Sequence, residues 1–317
     1  MTMDASSIVL AADLGGTNIR MAAVERSGTI LYRIERSTPR SSDDSAIINV
    51  LADMRSKIAD KLGSRPLGIG IAAASIIDPV NGILTSSPNI PELNGSHLPR
   101  KLAEMIDSPV HLENDATAAA IGEGWIGASR GVRSSICITL GTGIGGGIII
   151  DGKVIRGIDG TAGEIGHVVV EHKGHPCGCG NFGCIEQYAS ATAVVRMANE
   201  ELQNHPASIL ATINGFEAKD IYDAAIKGDE CAEKVFDKMS SYLGDAITGL
   251  VNIFNPEMIV IAGGLASGWD VFGGKIREHV DKMAFRRPAE RVRILPAELG
   301  SDAGVFGAAK AVFDLAA

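Results

Sequence analysis

A chain of 317 residues is long enough for about two domains, and 45% hydrophobic with 21% charged residues exclude a disordered chain, a collagen and a coiled coil. A net charge of −9, with no Lys/Arg run longer than the Arg286–Arg287 pair, argues against nucleic acid or an anionic membrane as a partner. Glycine, 38 of 317 residues, exceeds the usual share of about 7%, which points to tight turns and close backbone approach to a ligand.

No apolar stretch reaches the roughly 18 residues that span a bilayer. Residues 1–7 lack the basic segment and apolar core of a signal peptide, so a cytoplasmic location is expected. Of the five cysteines, Cys177, Cys179 and Cys184 lie close together. An odd, clustered set reads as metal ligands rather than as a disulfide framework.

Taken in chain order, residues 8–12 form an apolar strand that ends at Asp13. The turn Leu14-Gly15-Gly16-Thr17-Asn18 follows, then alternating strands over 19–24 and 30–34. Apolar residues at helical spacing predict a helix over 45–62, and 67–74 reads as a buried strand. A short strand over 110–112 leads to Glu113-Asn114-Asp115 and an alanine-rich helix over 116–123. Asp115 at a helix start reads either as an N-cap or as a general base for a hydroxyl, with Asn114 orienting the substrate.

The opening pattern then recurs: a strand over 135–140, the turn Gly141-Thr142-Gly143, and strands over 145–150 and 153–155. The two glycine turns stand about 126 residues apart, as expected of duplicated α/β domains. Such a pair would form a cleft with one glycine turn from each domain facing it. Each turn can aim backbone N–H groups at an anion, and Asp13 can hold magnesium through water. A strand rather than a helix follows each turn, so neither is a Walker loop nor a dinucleotide fingerprint.

Glu164-Ile165-Gly166-His167 precedes Val168-Val169-Val170. The set His167-x9-Cys177-x-Cys179-x4-Cys184 supplies one imidazole and three thiolates, suited to tetrahedral zinc with no open position. His172 and His175 compete for the fourth place. Glu186, two residues on, would be held rigidly by such a loop. Helices are predicted over 189–203, 218–227 and 231–254, the last with Gly244 and Gly249 inside it. A strand over 258–262 ends at Gly263-Gly264, and 301–315 reads as the closing helix.

These pieces, in this order and over nearly the whole chain, resemble the ROK family within the actin-like ATPase superfamily, and 186–190 (Glu-Gln-Tyr-Ala-Ser) is similar to its glucokinase branch. The resemblance implies an α/β fold of two actin-like (ribonuclease H-like) domains around a central cleft. These would cover 1–112 and 113–300, with the helix of 301–317 packing back on the first. It implies Asp115 as catalytic base, and Asn89, Asn114, Asp115, Glu164, His167 and Glu186 as sugar contacts. His167 would serve zinc and sugar with its two ring nitrogens, which selects it over His172 and His175. Asp13, Gly15, Gly16, Thr17, Asn18, Thr142 and Gly143 would meet ATP and Mg2+, and Gly263 and Gly264 the adenosine.

The implied activity is ATP-dependent phosphorylation of a hexose at its 6-hydroxyl, glucose first. N-acetylmannosamine, N-acetylglucosamine, fructose and allose are the alternatives, and the implied assembly is a homodimer or homotetramer. A sugar-responsive regulator is disfavoured, because the first glycine turn comes too early to leave room for a helix-turn-helix. One departure stands out: residues 72–79 read Ala-Ala-Ala-Ser-Ile-Ile-Asp-Pro where relatives carry a Gly-Pro-Gly-like turn near the sugar. The zinc loop is expected to support the sugar more than the nucleotide, since neither glycine turn adjoins it in sequence.

Overall fold

The computed structural model describes residues 8–316, so the reading of residues 1–7 lies outside the described residues. The chain divides into two compact units, 1–131 with 147–163 and 301–317, and 132–146 with 164–300.

In the first unit, β1 (Ile8–Leu14) pairs antiparallel with β2 (Asn18–Glu25) and parallel with β4 (Ile69–Ala73). The sheet order is β3-β2-β1-β4-β7, with β3 (Ile30–Ser37) and β7 (Val110–Asn114) at its edges. β1 and β4 are buried along nearly their whole length, which is why they read as continuous apolar runs, whereas edge strand β3 alternates with charge. Helix α1 (Ser45–Leu62) buries Ile47, Ile48, Leu51, Met54 and Ile58, the set its periodicity predicts, and ends on left-handed Gly63. A hairpin of β5 (Ile76–Asp78) and β6 (Ile83–Ser86) and helix α2 (Leu98–Ile106) lie between β4 and β7. Helix α3 (Asp115–Ile126) follows β7 directly.

α3 and the closing helix, Ala303–Leu315, touch backbone to backbone. A methyl on Gly122 would overlap the Ala303 carbonyl, and one on Gly307 would overlap the Ala118 carbonyl. This contact places 113–131 with the first unit, beyond the boundary expected at 112. Gly307→Ala gains about 1 kcal/mol of helix propensity but drives a methyl into a carbonyl that no rotamer change can clear. Overpacking of that kind costs about 1–3 kcal/mol, so urea unfolding of the variant is expected to show a net loss of stability.

The second sheet repeats the first, in the order β10-β9-β8-β11-β12. Its strands are β8 (Ser135–Leu140), β9 (Ile144–Ile150), β10 (Lys153–Val154), β11 (Met258–Ala262) and β12 (Arg293–Pro296). β11 runs parallel to both β8 and β12, while β10 runs antiparallel to β9. The duplication expected from the two glycine turns is therefore a duplication of sheet order. Helices α4 (Glu186–Ala189), α5 (Ala191–Glu201), α6 (Ala218–Ala225), α7 (Glu230–Phe254), α8 (Trp269–Met283) and α9 (Arg286–Ala289) belong to the second unit, whereas 147–163, with most of β9 and all of β10, falls in the first. Gly244 lets α7 approach α8, for a methyl there would overlap the His279 ring; nothing in the structure explains Gly249. One expectation changes: 189–203 is interrupted at Ser190, which caps α5 by accepting from the Ala193 N–H (3.1 Å). Residues 168–170 lie in a loop with an isolated bridge, Val169–Cys184. Among the described residues, no helix is long and apolar enough to cross a membrane.

Candidate active site and metal centre

In the first unit, the parallel register aligns Asp13 with Ala72 and Ala72 with Glu113, so Asp13 and the Glu113-Asn114-Asp115 segment share the carboxyl ends of the strands. In open α/β sheets that edge is where ligands bind. Asn114, not Asp115, caps α3: its Oδ1 accepts from the Thr117 N–H (3.0 Å), and its Nδ2 donates to the Ser75 carbonyl (3.3 Å). Asp115 is the first residue of the helix, where the N-terminal dipole favours a carboxylate, and its Oδ1 accepts from the Ala116 N–H (2.8 Å). Its side chain reaches solvent, yet the surrounding protein displaces enough water to push the carboxyl above its ordinary range. Asp13, half-buried, is pushed up to about 6, first by burial and then by the Asp115 and Asp302 carboxylates, with Arg20 opposing.

Glu113 is engaged elsewhere. It is buried and joined to the Arg156 guanidinium. Burial alone would raise its pKa, but the neighbouring His111 ring and Arg156 outweigh it and hold the carboxyl low. Glu113 therefore stays charged and fixes the strand end beside Asp115. Nothing in its sequence separates it from the two residues after it; the partner, 43 positions on, does.

The first glycine turn is braced from the same unit. The Gly15 N–H donates to the Asn18 carbonyl (3.0 Å), the Thr38 hydroxyl to the Gly15 carbonyl (2.6 Å), and Arg40 to the carbonyls of Gly16 (2.9 Å) and Asn89 (3.1 Å). A methyl on Gly16 would stand 3.0 Å from the Asn89 carbonyl, so glycine here serves close packing against Asn89. Thr17 and Asn89 are exposed.

In the second unit, the turn Gly141-Thr142-Gly143 opens onto a cavity of about 750 Å3. Gly264 lines it together with Thr192 from α5, Phe216, and Lys219 and Tyr222 from α6. That volume lies in the range of small-molecule sites. Gly263 is left-handed (φ 85°) and presses on the Leu140 backbone, so its role is to let the chain pass beside the turn. The α5 and α6 residues carry no motif, and only the fold brings them to the cavity.

Four groups converge in the loop that follows Glu164. His167, Cys177, Cys179 and Cys184 each offer one ligand atom, all within 4.8 Å of one another. His167 Nδ1 lies 3.6 Å from Cys177 Sγ, and Cys179 Sγ lies 3.7 Å from Cys184 Sγ. Zinc–sulfur bonds of about 2.3 Å in a tetrahedron place ligands about 3.7 Å apart, so the spacing fits zinc and is far too long for a disulfide. Without a metal, burial and the neighbouring thiols push the Cys184 thiol up. A dication among them reverses that preference. His175 is engaged elsewhere, with Arg196 at 2.8 Å from its Nε2 and its backbone N–H on the Tyr188 hydroxyl. The second nitrogen of His167, Nε2, faces the Glu164 carboxylate at 3.9 Å.

Residues 9–314 match the ROK family along almost their whole length. The chain belongs to the ROK family. Its two α/β units have the actin-like ATPase fold of ROK sugar kinases. Among its relatives, a glucokinase of Thermotoga maritima is 36% identical over 308 residues, covering 96% of each chain. A glucokinase of Halalkalibacterium halodurans is 39% identical, covering 93% of this chain and 92% of its own. A solved ROK family glucokinase from Streptomyces griseus, in complex with glucose and AMPPNP, superposes with a TM-score of 0.81 at 34% identity, covering 97% of this ROK chain and 99% of that one.

Proposed function

We propose that this chain is an ATP-dependent hexose kinase that phosphorylates glucose at the 6-hydroxyl. The observation that carries the reading is Asp115, a water-depleted carboxylate at a helix start, in a chain 36–39% identical to two glucokinases over more than nine-tenths of its length. Asp115 takes the proton of the 6-hydroxyl as that oxygen attacks the γ-phosphorus in line, and ADP leaves with the bridging oxygen. Asn89, Asn114, Glu164, His167 and Glu186 are the proposed sugar contacts. Gly15, Gly16, Thr17, Asn18, Thr142 and Gly143 are proposed for the phosphates, with Gly263 and Gly264 beside the adenosine. Asp13 is proposed to hold Mg2+ through water, where the ion, when bound with ATP, would neutralise phosphate charge.

Glu164 and His167 Nε2 suit a shared sugar hydroxyl, which donates to the carboxylate and accepts from the ring. His167 Nδ1 then belongs to a structural zinc. ADP release with a panel of hexoses tests the sugar. Glucose is expected to give the highest kcat/KM; a higher value for N-acetylmannosamine, N-acetylglucosamine, fructose or allose moves the assignment to that sugar. A homodimer or homotetramer is the assembly proposed, and light scattering tests it.

A further inference from the structure

We propose that Glu186 is a positioning residue that ties the metal loop to the second glycine turn, so that a metal bound by the cysteines sets the shape of the nucleotide-phosphate site. This rests on the kinase reading above. Glu186 follows Cys184 by two residues, across Ile185, which is wholly buried. Its Oε2 accepts from the Ile144 N–H at 3.0 Å, and its Oε1 lies 3.9 Å from Cys177 Sγ. One carboxylate thus touches both the sulfur cluster and the turn. Five and six residues further on, the Ala191 N–H donates to the Gly141 carbonyl (2.8 Å) and the Thr192 hydroxyl to the Thr142 carbonyl (2.9 Å). Three of the contacts that shape residues 141–144 therefore come from the eight residues after Cys184.

Gly143 fits the same account. A methyl there would overlap Glu186 Oε2, so the turn has glycine where the carboxylate lies against it. The loop side of the link is firm as well: Arg196 from α5 donates to the Gln187 carbonyl (2.6 Å), and Tyr188 packs on Tyr242 with ring centroids 4.2 Å apart. The first glycine turn has a different brace, Thr38 and Arg40, with no cysteine in it. A second turn linked to the metal loop runs against the expectation that this loop supports the sugar more than the nucleotide.

Calorimetric titration of the zinc-replete protein with Mg·AMPPNP tests the link. A hydrogen bond to a charged group lost at the turn is expected to weaken Glu186→Ala by about tenfold or more. Glu186→Gln keeps an oxygen acceptor for the Ile144 N–H and should stay within about threefold of wild type. Chelated wild type, checked as folded by circular dichroism, should match Glu186→Ala. Thr192→Val removes a donor to the turn without touching the loop and should weaken binding by about threefold to tenfold. Glu186→Ala and chelated protein that hold AMPPNP as wild type does would overturn the proposal, as would Glu186→Gln as weak as Glu186→Ala. If Glu186→Ala does not fold, an unchanged affinity in Thr192→Val overturns it instead. Wild type that takes up no AMPPNP sinks the kinase reading and this one with it, whereas the variant outcomes leave that reading standing.

Discussion

Asp115→Asn is expected to lower kcat by about 10²–10⁴-fold, the usual loss when a positioned general base is removed, with sugar and nucleotide affinity changed far less. The carboxamide keeps the shape of the side chain and still accepts from the Ala116 N–H, the contact that Asp115 Oδ1 makes. The helix start survives as well, because the cap is Asn114. What is lost is the ability to take a proton. Water-poor surroundings raise the Asp115 carboxyl above its ordinary value of 3.8, and a base works only when deprotonated. The acid limb of kcat/KM against pH is therefore expected above that value, falling as pH drops, and it should vanish in the variant. Near-wild-type turnover in pure Asp115→Asn protein removes Asp115 from the role.

One zinc per chain is expected in protein purified without added metal, and Cys184→Ser should lower that to less than roughly a tenth of an equivalent. Cys184 is fully buried, so serine there leaves a hydroxyl that neither ionises nor coordinates as a thiolate does. Structural zinc contributes folding free energy directly, about 10 kcal/mol or more in small zinc domains. In this unit a packed sheet and α7 share the task, so local loosening of 164–188 is expected rather than global unfolding. Limited proteolysis reads it: cleavage in that loop should rise sharply in Cys184→Ser, while fragments of the first unit persist. Zinc content below a tenth of an equivalent in reduced, active wild type contradicts the assignment.

The sequence made the sheets legible because the chemistry there is local. Central strands are apolar runs, each hairpin is marked by glycine, and the second sheet repeats the order of the first. The helix over 45–62 and its buried face follow from spacing alone. The metal set was readable for a similar reason, since its three cysteines lie within eight residues and loop glycines allow the wrap. What stayed hidden depends on partners distant in sequence. Glu113 looks like Asp115 until Arg156 is placed against it. Glu186 reads in the sequence as a sugar contact; its bond to the Ile144 N–H depends on a turn 42 residues earlier. Lys219 and Tyr222 reach the cavity from a helix whose pattern marks only its buried face.

Phosphorus NMR of ATP, Mg2+ and glucose with zinc-replete protein tests the central claim most directly. The account predicts that the γ-phosphate signal of ATP is replaced by that of a phosphomonoester, identified as glucose 6-phosphate by its proton coupling. ADP should appear in equal amount, and neither product should form with Asp115→Asn on the same timescale. ADP formed with inorganic phosphate instead of a sugar ester, or ATP left intact beside glucose, would contradict it.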